Sequence, residues 1–229
     1  MTMIGPVTTT PHRVGVTGPI ASGKSVVTAC LRELGLIVID HDVLARDALA
    51  PGSTGTAAVL EAFGPEVSHG DGTIDRAALG RIVFADDAAR IRLEGIVHPW
   101  VKRRAAELES EAAQAGAGIV VHDIPLLIET GQAGDFDRLL VVDAPVELRV
   151  RRLVEGRGMD ETQARRRIAA QTTTDHRRQV ADILLDGSGT VANLDRQVRD
   201  EVRLWMRLWP GSLSPQAISS LAGDDFPVL

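Results

Sequence analysis

Five short apolar runs mark the chain, at residues 13–17, 36–40, 119–123, 138–143 and 182–186. They are continuous rather than alternating, the pattern of strands covered on both faces. Between them, apolar residues recur at helical spacing. In SVVTACLREL (25–34), Val26, Val27, Cys30, Leu31 and Leu34 share one wide face, and Gly35 supplies a C-cap. Strands alternating with helices predict a five-stranded parallel α/β sheet flanked by helices.

Two stretches exceed what a crossover requires. About 80 residues separate the second and third runs, whereas a simple connection needs about a dozen. That span is Ala-rich, with a turn at HGDGT (69–73), and predicts an inserted helical subdomain. The second stretch, 147–178, is Arg-rich and predicts two helices joined near residues 156–159. Asp160 is placed to N-cap the second, with Gln163 in the capping-box position. The first twelve residues, MTMIGPVTTTPH, read as a disordered lead, and PGSLSPQAISSLAGDDFPVL (210–229) as a loose tail.

Composition narrows the class. A length of 229 residues with 44% hydrophobic content suits one core domain with insertions, or two small domains. A formal charge of −6 argues against nucleic acid as a partner. The single cysteine, Cys30, cannot form an internal disulfide, which fits a reducing compartment, and it reads as a buried helix residue. No apolar run approaches the roughly 20 residues that span a bilayer, and the N-terminus lacks the layout of a secretory signal. These features predict a cytoplasmic protein without membrane or nucleic-acid partners, monomeric or weakly oligomeric.

The chemistry begins at GPIASGKS (18–25), a G-x-x-x-x-G-K-S loop between the first strand and the first helix. Backbone N–H groups of such a loop cradle phosphate oxygens, and the helix N-terminus adds positive potential. Lys24 would reach the β- and γ-phosphates, and Ser25 would ligate Mg²⁺ through its hydroxyl. Pro19 has no N–H, and Ala21 disfavours left-handed backbone. The cradle is therefore expected mainly from the N–H groups of Ala21 through Ser25. Such a loop fits switch GTPases, motor ATPases and small-molecule kinases alike.

Carboxylates and arginines favour a kinase. The second strand ends in IDHD (39–42), which puts Asp40 and Asp42 on the ligand side of an open α/β sheet. Either could take a proton from an acceptor hydroxyl, and either could cap the next helix. Asp123, ending the third strand in VVHDIPLL, stands where a metal-holding carboxylate is common. The Arg-rich stretch suggests a lid whose arginines stabilise charge on the transferred phosphoryl group.

Together these segments resemble the dephospho-CoA kinase family. The resemblance runs from about Val14 to Leu208 through seven blocks in order: TGPIASGKS, VIDHDVLAR, DGTIDRAALGRIVF with the following His98–Pro99, DIPLLIETG, the R-L-x-x-x-R of 152–157, RIAAQ (167–171) and ADILLDGSG. It implies the P-loop kinase fold: a core of 13–43, 119–146 and 179–209, a helical CoA-binding domain over 44–118, and a lid over 147–178. It also implies transfer of the ATP γ-phosphate to the ribose 3′-hydroxyl of dephospho-CoA, with Mg²⁺. In that scheme Asp42 is similar to the family's catalytic base, and Lys24, Arg152 and Arg157 serve the transferred phosphate. Gly18, Pro19, Ile20, Ala21, Ser22, Gly23, Lys24, Ser25 and Val26 would hold ATP, with Gly187 near the adenine. Thr17, Asp42, Arg46, His98 and Asp123 would face the acceptor, and Ser25 and Asp123 the metal. Pro19 and Ala21 replace two usual glycines, and Gly187 stands where the family often has Asn. A kinase for another acceptor and a nucleotide-dependent switch are the competing readings; no N-K-x-D base-reading motif of a GTP switch is present.

Overall fold

The computed structural model describes residues 10–222. In chain order the elements are β1 (His12–Thr17), α1 (Lys24–Glu33), β2 (Ile37–Asp40), α2 (His41–Ala48), α3 (Thr54–Phe63), α4 (Arg76–Ala85), α5 (Asp87–Gln114) and β3 (Ile119–Asp123). There follow β4 (Arg138–Asp143), α6 (Val146–Arg157), α7 (Glu161–Ala169), α8 (Thr174–Val180), β5 (Ile183–Asp186), α9 (Val191–Leu208) and α10 (Pro215–Ala222). The expected lead falls mostly outside the described residues, as do positions 223–229. His12 already belongs to β1.

All five apolar runs are strands of one sheet, ordered β2-β3-β1-β4-β5. β1 runs parallel to both β3 and β4, and β4 parallel to β5. The runs are continuous because both faces are covered. One face carries Val14, Val16, Val121, Leu140 and Val142 against α1 (Val27, Leu31 and the C-cap Leu34) and α9 (Val198, Val202, Trp205). The other carries Leu139 and Val141 with Ile124, Leu127 and Ile128. Gly15 admits this second layer: a Cβ there would stand 2.8 Å from Leu127 Cδ1.

The chain forms two compact units, Met1–Ile39 with Glu111–Leu229, and Asp40–Ser110. The second holds α2 to α4 and most of α5 around Val59, Val67, Ile74 and Leu79. Asp40, Ser53 and Asp75 N-cap α2, α3 and α4, each satisfying N–H groups that the helix cannot pair. The HGDGT turn closes through His69 N–H to the Thr73 carbonyl at 3.1 Å, with Gly70 and Gly72 left-handed.

Two features depart from the sequence reading. The Arg-rich stretch contains a third helix, α8, capped by the Thr173 hydroxyl. The C-terminal segment is not wholly loose. Ser214 accepts from the Ala217 N–H, α10 forms, and Ala217 and Leu221 are buried. Arg199 and Arg203 of α9 donate to the carbonyls of Ser220 and Leu221 at 3.1 Å each. These apolar and long-range contacts outweigh the weak local pattern. Among the described residues no helix is long and apolar enough to cross a membrane.

Candidate functional site

The phosphate loop lies between β1 and α1. Gly23 is the N-cap of α1 at φ 111°, so the chain turns sharply into the helix there. The first N–H groups of α1 have no intrahelical partners and the helix dipole adds positive potential. Gly18 passes tightly against the end of β4: a Cβ there would stand 2.5 Å from the Val142 carbonyl oxygen.

Residues 19–22 differ from the sequence expectation. Ala21 adopts φ 62°, the left-handed conformation it was expected to avoid. The cost, about 1 kcal/mol for a non-glycine residue, is offset by tertiary contacts. The Ala21 and Ile20 side chains pack on Val150, Leu153, Ala164 and Ile168 of α6 and α7. Arg152 Nη1 donates to the Ala21 and Ser22 carbonyls at 3.1 and 3.3 Å. The cradle is also narrower than expected. The Ser22 N–H donates to the Pro19 carbonyl at 3.1 Å, and the Ile20 N–H to Gln171 Oε1 at 3.0 Å.

Lys24 ion-pairs with Asp123, the buried last residue of β3. The pair puts a cation and a carboxylate side by side at the C-terminal edge of neighbouring strands, where ligands of such sheets bind. Thr17, ending β1, is buried and donates its hydroxyl to the Pro125 carbonyl at 3.2 Å.

A cavity of about 260 Å³ opens beside the loop, lined by Ala21, Gly23, Ser25, Val26, Arg152, Arg157 and Gly187. Arg152 Nη2 donates to the Gly187 carbonyl at 2.7 Å, and the Gly187 N–H to the Asp143 carbonyl at 2.8 Å. A Cβ at Gly187 would lie 2.0 Å from the Ser22 carbonyl oxygen. No side chain fits there, which accounts for glycine at this position. Gly189, Thr190, Val191 and Leu194 complete the lining. Gly189 ends the block quoted from the sequence, whereas sequence reading missed Thr190, Val191 and Leu194, although GSGT before an amphipathic helix is a turn-and-cap signal: the Thr190 hydroxyl accepts from the Asn193 N–H.

In the second unit, the Asp40 carboxylate caps α2, accepting from the N–H groups of Asp42 and Val43 at 3.0 Å each. That leaves the Asp42 side chain, exposed in the first turn of α2, outside the capping role. Arg46 Nε donates to the Asp42 carbonyl at 3.1 Å. His98 is exposed on α5 just before Pro99, inside the helix rather than in a turn.

The donor set around the loop suits Mg²⁺, which takes one or two carboxylates beside hydroxyl, phosphate and water oxygens. Ser25 and Asp123 are hard oxygen donors of this kind. Among the described residues no cluster of three or more His, Cys, Asp or Glu side chains forms a protein-only metal cage.

The chain is similar to known proteins over most of its length. The family model for dephospho-CoA kinase matches residues 12–193. A dephospho-CoA kinase from Frankia casuarinae is 52% identical over 82% of this chain and 80% of its own length. One from Mycobacterium bovis is 50% identical over 82% of the chain, which spans only 46% of that longer relative. Among solved structures, the TT1252 protein of Thermus thermophilus superposes with a TM-score of 0.74 at 35% identity, covering 86% of this chain and 98% of its own.

Proposed function

The chain belongs to the dephospho-CoA kinase family, and from that premise we propose how its residues transfer the ATP γ-phosphate to the ribose 3′-hydroxyl of dephospho-CoA, giving coenzyme A and ADP. The observation that carries the reading is the contact of Lys24 with Asp123, which joins the phosphate-loop lysine to a strand-end carboxylate beside the cavity. ATP occupies that cavity, with its phosphates on the N–H groups at the start of α1 and its base toward Gly187–Leu194. Lys24 exchanges its carboxylate partner for the β- and γ-phosphate oxygens, which releases Asp123 toward the metal and acceptor. Ser25 and Asp123 would hold Mg²⁺, which would supply charge neutralisation of the phosphates when bound. Arg157 lines the cavity, is exposed, and makes no hydrogen bond or ion pair among the described residues. It therefore has its guanidinium available for the transferred phosphoryl group.

Arg46 and His98 of the helical insertion, 44–118, are assigned to acceptor binding, as are, separately, Thr17 and Asp123 of the core. Asp42 takes the proton of the 3′-hydroxyl. Its carboxylate is suited because Asp40 already fills the capping role. The test is ADP release from ATP and Mg²⁺ with and without dephospho-CoA, with the product identified by mass. Acceptor-dependent ADP and formation of coenzyme A support the reading. ADP release indifferent to dephospho-CoA refutes it and leaves an ATPase or a kinase for another acceptor.

A further inference from the structure

The phosphate loop of this chain lacks part of what would organise it from within. Pro19 offers no N–H, and Ala21 holds a left-handed backbone that glycine adopts freely and alanine does not, although the Ser22 N–H to the Pro19 carbonyl remains as an internal tie. The contacts that hold residues 20–22 instead come from the arginine-rich helices. Arg152 takes the carbonyls of Ala21 and Ser22. The side chains of Ile20 and Ala21 pack into the apolar seam between α6 and α7. Gln171, in the link between α7 and α8, accepts the Ile20 N–H at 3.0 Å.

We infer that Gln171 is a positioning residue for the phosphate loop: by holding the Ile20 N–H it fixes the Pro19–Ile20 peptide, one residue ahead of Ala21, and so helps to keep that alanine left-handed. The half-buried N–H needs a partner, and Gln171 supplies it from 151 positions away in sequence. With that partner gone, Ala21 relaxes toward its ordinary right-handed backbone. The carbonyls of Ala21 and Ser22 then turn away from Arg152, and the N–H groups after them no longer converge on the phosphates. The inference rests on the loop being the ATP site. It does not depend on the identity of the acceptor.

The test is Gln171→Met, which keeps length and apolar bulk and removes the acceptor. Binding of a non-hydrolysable ATP analogue is titrated without acceptor, so the result is readable even if dephospho-CoA is not the substrate. The expected result is a 3- to 10-fold weaker affinity, roughly the worth of one hydrogen bond. Exchange of the Ile20 amide proton should quicken, while the melting temperature of the nucleotide-free protein falls by no more than about 4 °C, the worth of that one bond. Ala21→Gly added to Gln171→Met should recover most of the lost affinity, because glycine holds the left-handed backbone without help. Affinity within twofold of the parent overturns the inference, as does an unprotected Ile20 amide in the parent itself. A loss that glycine at position 21 does not recover, or that comes with a fall in melting temperature well beyond about 4 °C, makes Gln171 a general structural residue and also overturns it.

Discussion

The guanidinium of Arg152 donates to the main-chain carbonyl of Gly187 at 2.7 Å while its other terminal nitrogen holds the carbonyls of Ala21 and Ser22. One planar side chain thus ties the phosphate loop to the turn after β5. Lysine has the charge but not the fork. Arg152→Lys is expected to lower kcat/KM for ATP by about 10- to 100-fold, the worth of one or two hydrogen bonds to a charged group. Steady-state kinetics at varied ATP would check it, and a change under threefold would mean that the bridge is dispensable.

Gly187 gives a prediction against the family's habit. Asn is common there in the family, yet here a Cβ would collide with the Ser22 carbonyl. Gly187→Asn should push the phosphate loop away and weaken ATP binding by at least about tenfold, with a loss of stability of roughly 1–3 kcal/mol from overpacking. Calorimetric titration and thermal melting would measure both; unchanged affinity would show that the loop yields at no cost.

Asp42→Asn removes the proposed base and keeps shape. Turnover should fall by about 10²- to 10⁴-fold, with ATP affinity unaltered because the loop is untouched. A mutant that keeps its turnover would move the base role to another carboxylate, Asp123 first.

Burial pushes the Glu201 carboxyl above its ordinary range, only partly opposed by Trp205 and Arg138. Its folded-state value is raised, so the folded protein holds this proton more tightly than the unfolded chain does. Glu201 therefore contributes stability at acid pH that is lost as pH rises through its folded value. Glu201→Gln should melt higher than the parent at pH 7.5, and the difference should shrink as pH falls through the raised folded value, reaching its minimum at the ordinary glutamate range. A constant difference across pH would remove the protonation argument.

Burial, then the hydrogen bond to Asp195, pushes the Cys30 thiol up to about 12. The thiolate is the reactive form. A disulfide reagent at pH 8 should therefore leave the folded protein unmodified and titrate one thiol after denaturation. Rapid labelling of the native protein would contradict the packing between α1 and α9.

The strands were legible because their apolar runs are continuous, and the loop because glycine, lysine and serine stand at fixed spacing between a strand and a helix. Asp40 and Asp42 were visible as a pair, but their separation into cap and free carboxylate was not. Both are aspartates and cap equally well, and only backbone geometry decides. Ala21 went against expectation because its intrinsic preference was overruled by contacts from residues 150–168, far along the chain. Gln171 was quoted within a block, yet nothing local says that its amide reaches Ile20. The helix at 215–222 was missed for a related reason: its apolar residues Ala217, Ile218, Leu221 and Ala222 span only two turns, too short a stretch to set a period.

The sheet face covered by α9 has a consequence for the order in which the protein can be made. Val14, Val16 and Val27 leave the ribosome early, but they share their layer with Leu194, Val198, Val202, Trp205 and Leu221. Until those residues are synthesised, a nascent chain bearing the first four strands still exposes that apolar layer. This face therefore cannot close progressively behind the growing N-terminus. It closes late in translation, after a long interval in which the unfinished chain is a substrate for chaperones and vulnerable to self-association.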